Sequence, residues 1–253
     1  MLEPVGGMDR IAAAFAERLA AHIRYEAVVT EIRRAGDGAR VVTRYRGSGA
    51  TTATDAAFVI VTIPLPVLAS IDADFAPRTR AAVASAKYLP GAKVGFHAHR
   101  RFWEEDHDIY GGISWTTQDI TQIWYPSNAF QGADGVLVGG YIWTSGIGAF
   151  FAALSPEDRL RLAAAQGERL HPGYAAELSG GVAVAWSKVP FSEGAWCEWS
   201  PAERRQHLPV LTSWDGPFLF AGEHLSDLPG WQEGAVLSAH RAVRAVAERV
   251  ASP

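Results

Sequence analysis

The sequence of 253 residues predicts an α/β protein in which helices and strands are mixed along the chain. Residues 58–63 form an almost wholly apolar run, which is typical of a strand buried on both faces. Apolar residues recur four positions apart between residues 11 and 23, as on one side of an amphipathic helix. Near the carboxyl terminus, the apolar run 218–220 precedes a loop and a helix-like segment that extends to Val250. The two ends of the chain therefore predict helices that pack on buried strands.

The amino-terminal region predicts a helix that leads into a β-hairpin. Asp9 stands directly before the helical pattern, so we expect its carboxylate to cap the helix. Two strand-like stretches follow, at residues 25–33 and 39–45. They are joined by Ala-Gly-Asp-Gly at residues 35–38, a sequence that is typical of a tight hairpin turn.

The pattern changes near Leu89, where alternating apolar and polar residues separated by turns predict a mixed or antiparallel sheet. The predicted strands of this region are residues 91–99, 110–115, 121–126, 135–143 and 182–187. Ser155, followed by a proline and two acidic residues, predicts the start of a helix within it. We therefore expect one domain at residues 88–190 and another assembled from residues 1–87 and 191–253.

The composition disfavours several classes of function. Hydrophobic residues make up 48% of the chain and charged residues 20%, which favours a packed core over disorder. The net charge is −4, and the longest basic runs are the pairs at residues 33–34 and 100–101. Nucleic acid is therefore not an expected partner. No segment has the length of a membrane span, so a membrane is not expected either.

The cysteine and histidine content gives further expectations. The single Cys197 cannot form an intrachain disulfide, which fits a reducing compartment. The amino terminus lacks a signal-peptide pattern, and we expect a cytoplasmic protein. The eight histidines have no spacing typical of a metal site, so no metal is expected. The nucleophile motif Gly-x-Ser-x-Gly does not occur, which disfavours an α/β-hydrolase.

Four side chains lie in chemically distinctive settings. Trp231, between glycines, offers a flat aromatic face, and the helix after it presents backbone N–H groups to a planar anionic ligand. Glu223 ends an apolar strand, where its carboxylate suits either ligand hydroxyls or a helix cap. Lys93 has small and apolar neighbours, which predict a buried amine of lowered pKa, with a surface lysine as the alternative. Tyr141 closes an apolar strand and suits either a substrate carboxylate or core packing.

Several motifs occur in a fixed order along almost the whole chain. They are Gly-Gly-Met-Asp (6–9), Gly-Ala-Lys (91–93), Arg-Phe-Trp-Glu (101–104), Tyr-Gly-Gly-Ile-Ser (110–114), Trp-Tyr-Pro (124–126), Gly-Tyr (140–141), Phe-Ala-Gly-Glu (220–223) and Gly-Trp-Gln-Glu-Gly-Ala (230–235). This ordered set resembles the flavin-dependent amine oxidase superfamily and, within it, the L-amino acid oxidases. The resemblance implies FAD as the cofactor.

The same resemblance implies that the chain is half of a fold. Members of the superfamily carry a dinucleotide-binding unit with Gly-x-Gly-x-x-Gly near the amino terminus, and this motif does not occur in the sequence. By the resemblance, residues 1–87 and 191–253 form a partial FAD-binding domain, and residues 88–190 form a mixed-sheet substrate-binding domain. We expect a second chain to supply the missing half in a hetero-oligomer. Met1 favours a separately encoded subunit over a processed or truncated product.

The resemblance also assigns roles to individual residues. Lys93 is implied to hold a water near flavin N5, where oxygen is reduced, and Tyr141 to bind the substrate carboxylate. Trp231 is implied to wall the substrate site over the flavin ring. The residues that it assigns to cofactor binding are Val29, Gly222, Glu223, Gly230, Trp231, Gln232 and Ala235. Among these, Val29 pairs its backbone with the adenine edge, and Glu223 binds ribityl or ribose hydroxyls.

The expected function is the oxidative deamination of an L-amino acid to the 2-oxo acid, with release of ammonia and hydrogen peroxide and with oxygen as the acceptor. The many Trp and Tyr residues favour an aromatic or large apolar substrate side chain. Two alternatives stay open. One is an oxidase of monoamines or polyamines, which would lack ligands for a carboxylate. The other is a non-catalytic half-domain that binds a partner.

Overall fold

The computed structural model of the protein describes residues 4–251. The α-helices in that range are α1 (Asp9–Arg18), α2 (Leu65–Ala69), α3 (Pro77–Ser85), α4 (Phe102–Glu105), α5 (Ser145–Ala153), α6 (Pro156–Gly167), α7 (Tyr174–Glu177), α8 (Pro201–Leu211) and α9 (Gln232–Ala251). The strands are β1 (Ala27–Ala35), β2 (Gly38–Tyr45), β3 (Thr51–Ala56), β4 (Val59–Val61), β5 (Asp72–Ala73), β6 (Ala92–Ala98), β7 (Gly112–Trp115), β8 (Gln122–Tyr125), β9 (Gly135–Ile142), β10 (Leu178–Ala185) and β11 (Phe218–Phe220). The fold is mixed α/β, as the sequence predicts.

The hairpin of the amino-terminal region is the centre of a four-stranded sheet with the order β3-β2-β1-β5. Strands β1, β2 and β3 are antiparallel, whereas β5 pairs with β1 in parallel. The sequence analysis did not predict β3, because all of its residues are exposed and it has no apolar face to produce an alternating pattern.

A two-stranded parallel sheet of β4 and β11 lies beside this layer. Phe75 makes edge-on ring contacts with Phe218 and Phe220, with 5.2 Å between centroids in each case. Leu219 points to the opposite face of the strand and is also buried. Both faces of the pair are therefore covered, which explains why β4 is apolar throughout.

The third sheet has the order β10-β6-β9-β8-β7 and is antiparallel throughout. One of its faces packs against α5, α6 and α7 in a core that includes Val94, Ile123, Phe151 and Tyr174. The opposite face is not covered by any element among residues 4–251, so large apolar side chains such as Val182 remain exposed on it. Only one layer of helices therefore encloses this sheet.

The buried residues form two clusters that follow the sequence. One cluster contains only residues between 92 and 185, and the other combines residues 32–83 with residues 211–225. The segments that connect them pair with each other, since Leu89 N–H donates to Trp196 O and Ala195 N–H donates to Leu89 O. The domain limits at residues 88 and 190 agree with this arrangement but stay a prediction.

The helix starts differ in how well the sequence predicts them. Ser155 caps α6, and its hydroxyl accepts a hydrogen bond from Asp158 N–H, as predicted. Asp9 does not cap α1. Met8 already has helical dihedral angles (φ −69°, ψ −19°), so that Asp9 lies inside the first turn. Its acidic side chain still favours that end of the helix.

Candidate active site

A cleft of about 500 Å³ opens at the carboxyl ends of the parallel strands β4 and β11. In open α/β sheets this edge is where ligands bind, because the loops and helix starts that follow the strands converge there. The small and apolar residues of its wall are Pro64, Gly194, Ala195, Ala221, Gly222, Ala235, Val236 and Ala239. The polar ones are Thr62, Tyr88, Ser192, Glu223 and His224.

Gly222 makes the turn that ends β11 possible. Its φ is +147°, a region that residues with side chains rarely adopt. A Cβ atom at this position would lie 2.3 Å from the ring of His224. The N–H of Gly222 donates to Ser238 Oγ of α9 at 2.8 Å. Both the backbone conformation and the close packing therefore require glycine where the strand meets the cleft.

The carboxylate of Glu223 holds two loops of the cleft together. Its Oε1 accepts from Cys197 N–H at 3.1 Å, and its Oε2 accepts from Gly230 N–H at 2.7 Å. Burial raises the pKa of Glu223, and the two backbone hydrogen bonds oppose this shift. Each carboxylate oxygen keeps a second lone pair, so a hydrogen bond from a ligand hydroxyl stays a prediction for Glu223.

His224 and Tyr88 add uncharged polar groups to the wall. His224 is 4% exposed, and burial lowers its pKa to about 4. Tyr88 Oη accepts from Leu65 N–H at 3.3 Å, and burial raises the pKa of the phenol. Both side chains are therefore neutral at neutral pH, which suits a wall that contacts an uncharged ring system.

The start of α9 lies at the rim of the cleft. Gly230 has a φ of +76° and packs against Trp196, whose ring a Cβ would approach to 3.2 Å. Trp231 follows and is 68% exposed, so its indole is open to a ligand or to another chain. Ala235 and Val236, in the first turns, line the cleft. The first N–H groups of a helix have no intrahelical acceptor and carry partial positive charge, which favours an anionic group nearby.

Lys93 and Tyr141 are cross-strand neighbours on β6 and β9, on the uncovered face of the large sheet. Lys93 Nζ lies 4.6 Å from the centroid of the Tyr141 ring, in a cation–π contact. The Tyr141 ring also contacts Trp124 of β8, with centroids 5.7 Å apart. Burial of its hydroxyl raises the pKa of Tyr141. An amine, a phenol and an indole thus stand together on one face.

Lys93 is exposed rather than enclosed, because only the other face of its sheet is covered. Its neighbours nevertheless desolvate the ammonium enough to lower the pKa of Lys93, in the direction that the sequence predicts. Gly91 connects this face with the cleft. A Cβ at Gly91 would lie 2.8 Å from Ala195 Cβ in the cleft wall, and Lys93 follows two residues later.

The predicted site residues occupy three places. Gly222, Glu223 and Ala235 line the cleft, and Gly230, Trp231 and Gln232 lead into α9 at its rim. Lys93 and Tyr141 stand on the uncovered sheet face. Val29 lies in β1, where it pairs with Thr43, and it is not part of the cleft wall. The roles assigned to these residues stay predictions.

Sequence reasoning missed Tyr88, His224 and Thr62 as wall residues. The sequence could have indicated Thr62 as a wall residue, because it lies at the carboxyl end of the predicted buried strand. Ligands bind at the carboxyl ends of parallel strands. No sequence pattern indicates that Tyr88 lies in the wall, because its position depends on the pairing of distant segments. One such pairing is the bridge between Tyr88 and Cys197.

A family comparison decides the identity of the fold. The sequence model of one protein family, described as flavin containing amine oxidoreductase, matches residues 2–247 of the chain. The chain belongs to this family. The resemblance drawn from the sequence motifs is confirmed, and the cofactor of the family is FAD.

Curated relatives of this family match the chain along nearly all of its length. An L-amino-acid oxidase of Siganus canaliculatus is 32% identical over 247 residues, which are 95% of this chain and 46% of that protein. The flavin-dependent L-tryptophan oxidase RebO of Lentzea aerocolonigenes is 32% identical over 261 residues, which are 97% of this chain and 53% of that protein. The chain thus spans about half the length of the curated relatives it matches.

Solved structures of the family share the fold. Putrescine oxidase bound to putrescine superposes with a TM-score of 0.82 at 20% identity, covering 96% of this chain and 53% of that one. Cyclohexylamine oxidase from Brevibacterium oxydans superposes with a TM-score of 0.80, also at 20% identity, covering 97% and 53%. At this level of identity the likeness concerns the fold alone.

The cleft residues fit one side of a flavin. Ala195, Ala221 and Ala239 line the cleft with small apolar side chains that leave room for a planar ring, and Gly222 brings backbone to the cleft without a side chain. Among residues 4–251 no group of three His, Cys, Asp or Glu side chains could hold a metal ion. In the same range no helix is long and apolar enough to cross a bilayer.

Proposed function

We propose that the chain is the carboxyl-terminal half of an FAD-dependent L-amino acid oxidase, and that a second polypeptide supplies the dinucleotide-binding half. The observation that carries the proposal is that the chain holds two adjoining places: the cleft beyond β4 and β11, and the sheet face that bears Lys93, Tyr141 and Trp124. Gly91, at the start of that sheet, packs against Ala195 of the cleft wall. The cleft fits a flavin, and the sheet face offers a phenol and an amine to a substrate. We place the assembled enzyme in the cytoplasm.

The choice of an L-amino acid is supported by the relatives. Two relatives that are 32% identical to this chain are named as an L-amino-acid oxidase and an L-tryptophan oxidase. The putrescine and cyclohexylamine oxidases are only 20% identical to this chain. Their likeness therefore supports the fold and gives no argument about the substrate. The aromatic surface of Trp124 and Tyr141 suits a large apolar substrate side chain.

The proposed reaction converts an L-amino acid, O2 and H2O into a 2-oxo acid, ammonia and hydrogen peroxide. Bound FAD supplies the redox chemistry of this reaction. Tyr141 donates its hydroxyl to the substrate carboxylate and fixes the orientation of the substrate. Lys93, whose pKa is lowered by desolvation, holds a water by a hydrogen bond. Trp231 provides the flat wall that excludes bulk water from the bound side chain.

The test uses the tagged chain purified with its companion from the cells that produce it. We expect a flavin absorbance band in the complex, and peroxide release with L-phenylalanine but not with D-phenylalanine. Release with phenethylamine and none with L-phenylalanine would favour the alternative of an amine oxidase. A colourless complex would contradict the flavoenzyme and support the alternative of a non-catalytic partner-binding half.

A further inference from the structure

Gln122 is a buried amide on the uncovered face of the large sheet. It is 4% exposed, although it lies two residues before Trp124 on β8 and therefore on the same face. Ile123 and Tyr125, which alternate with them, belong to the core under the helices. A buried amide without a hydrogen bond is costly, so the position of Gln122 depends on a polar partner.

That partner is the indole of Trp124. Gln122 Oε1 accepts from Trp124 Nε1–H at 2.6 Å. An indole nitrogen only donates, so the bond decides which end of the amide faces the ring. The χ2 torsion of a tryptophan is broad, and a hydrogen bond at the edge of the ring restricts it. Gln122 therefore holds the plane of the Trp124 ring.

A β-bulge brings Tyr141 to the same face as Trp124. The pairing of β9 with β6 shifts by one residue at Gly139, which is therefore an extra residue in β9. Without this bulge, strict alternation would place Tyr141 on the face opposite to Val138, the partner of Trp124. A Cβ at Gly139 would lie 2.4 Å from the Phe96 ring, so the close packing at the bulge requires glycine.

The main chain of Tyr141 is held by the segment just before β8. Tyr141 N–H donates to Ile120 O at 3.1 Å, and Thr121 Oγ1 donates to Tyr141 O. Because the backbone of Tyr141 is held in this way, the angle between its ring and the Trp124 ring depends on side-chain torsions. Those of Trp124 are restricted by Gln122.

The rings of Trp124 and Tyr141 form a corner. Their centroids are 5.7 Å apart, and their planes meet at 75°. A third aromatic ring in such a corner can stack on one of them and contact the other edge-on, whereas an aliphatic side chain gains only the burial of its surface. The corner therefore favours an aromatic side chain as long as the angle between the two rings is kept.

We infer that Gln122 is a positioning residue that makes the proposed oxidase selective for L-amino acids with an aromatic side chain, because it holds Trp124 at its angle to Tyr141. The inference rests on the proposed function, and it narrows the class of substrate. In this role Gln122 acts through Trp124 and does not contact the substrate itself.

The test compares L-phenylalanine with L-leucine as substrates of the flavin-containing complex. In Gln122→Leu the KM for L-phenylalanine should rise about fivefold, because the ring contacts beyond area burial are lost, while kcat changes by less than about twofold. The constants for L-leucine should stay unchanged, so the ratio of kcat/KM for the two substrates should fall about fivefold. Gln122→Glu keeps an acceptor oxygen and should keep the original ratio.

A second measurement does not depend on activity. In the isotope-labelled chain, the indole N–H resonance of Trp124, identified by its loss in Trp124→Phe, should shift and exchange faster with solvent in Gln122→Leu. When Trp124→Phe is already present, Gln122→Leu should not change the substrate ratio further, because the hydrogen bond is already absent.

Gln118→Leu is the matched control, since it makes the same chemical change four residues earlier. Gln118 Oε1 accepts from Arg169 Nη1 at 2.7 Å and not from an aromatic side chain. This variant should keep both the substrate ratio and the Trp124 indole resonance of the original chain.

The inference fails on any of three results. One is an unchanged ratio in a folded Gln122→Leu variant. Another is an equal loss of kcat/KM for both substrates, which indicates a structural role alone. The third is an indole resonance that does not respond to the substitution. If Gln122→Leu does not fold, Gln122→Met, whose unbranched side chain has a similar length, replaces it in each comparison.

The same experiment separates this inference from the proposed function. A complex that oxidises no L-amino acid refutes the proposed function, and the inference falls with it. An active complex in which the ratio is unchanged refutes the inference alone.

Discussion

Lys93 carries the sharpest prediction at the scale of a single residue. In the flavin-containing complex, Lys93→Met should lower the rate of peroxide release about a hundredfold, because the variant cannot hold or exchange a proton with the water at the reacting centre. The pKa of Lys93 is lowered by desolvation, so activity should rise as pH rises and the neutral amine forms. The steady-state rate as a function of pH measures both effects.

Lys188→Met is the matched control for this variant. Lys188 is exposed in the turn after β10 and lies outside the cleft wall. Its loss should leave the rate of peroxide release unchanged. Equal rates for Lys93→Met and Lys188→Met would contradict the assigned role of Lys93.

The lowered pKa of His224 predicts that the free energy of unfolding depends on pH. Its pKa is lowered from 6.5 to about 4, so between these pH values the unfolded chain binds a proton that the folded chain does not. The free energy of unfolding should therefore fall by about 3 kcal/mol as pH drops from 6.5 to 4. His224→Gln should remove this part of the pH dependence. Urea unfolding at a series of pH values measures it.

His240→Gln serves as the control for His224, because His240 is exposed on α9. The control should retain the slope of the original chain. His171 is also buried, and desolvation lowers its pKa, so a smaller slope in the same direction should remain in His224→Gln. An unaltered slope in that variant would show that His224 does not titrate in this range.

At the residue scale, the predicted site residues that follow β11 lie in the cleft wall, and their roles stay predictions. Gly222, Glu223 and Ala235 line the cleft because a strand, its loop and the next helix are local in sequence. His224 was missed although it adjoins them, since its burial depends on contacts with Tyr88 and Gly222. Burial of this kind is set by packing, and no pattern in the sequence indicates it.

At the scale of elements, Gly234 decides how α9 packs. In an open helix, Gly→Ala stabilises by about 1 kcal/mol. At Gly234, however, a Cβ would lie 2.3 Å from both Leu228 O and Ser226 Oγ. The steric cost, roughly 1–3 kcal/mol or more, exceeds the gain in helix propensity. Gly234→Ala should therefore lower the free energy of unfolding, as measured by chemical denaturation.

Gly146→Ala in α5 provides the matched control. No atom lies within 4 Å of a Cβ built at Gly146, so the gain in propensity is unopposed there. This variant should be as stable as the original chain or up to about 1 kcal/mol more stable. Stabilisation by both substitutions would mean that α9 is not held against the loop at residues 226–228.

Elements with strong local signals were predicted from the sequence. The hairpin of β1 and β2, the capped start of α6 and the succession of β11 and α9 all appear in the structure. The partner of β4 was not predictable, because β11 is more than 150 residues away and parallel pairing leaves no turn signal. Nor was the order of the large sheet, in which β6 lies between β9 and β10.

At the scale of the whole molecule, the two core clusters predict two units that open separately. Leu65 and Ile123 are fully buried, one in each cluster. Leu65→Ala and Ile123→Ala should each cost about 2–5 kcal/mol. Native-state hydrogen exchange should show faster exchange only in the unit that contains the substitution. Equal acceleration across both units in either variant would indicate one cooperative domain.

The sequence by itself determined the family, because the ordered motifs reflect local requirements: glycines where the backbone turns or packs closely, and apolar runs where strands are buried on both faces. Only the tertiary structure decided which edges and faces stay uncovered. The exposed sheet face around Lys93, and the bulge at Gly139 that directs Tyr141 to it, arise from segments far apart in the chain. Whether a backbone group is paired depends on such long-range neighbours, and a local pattern carries no record of them.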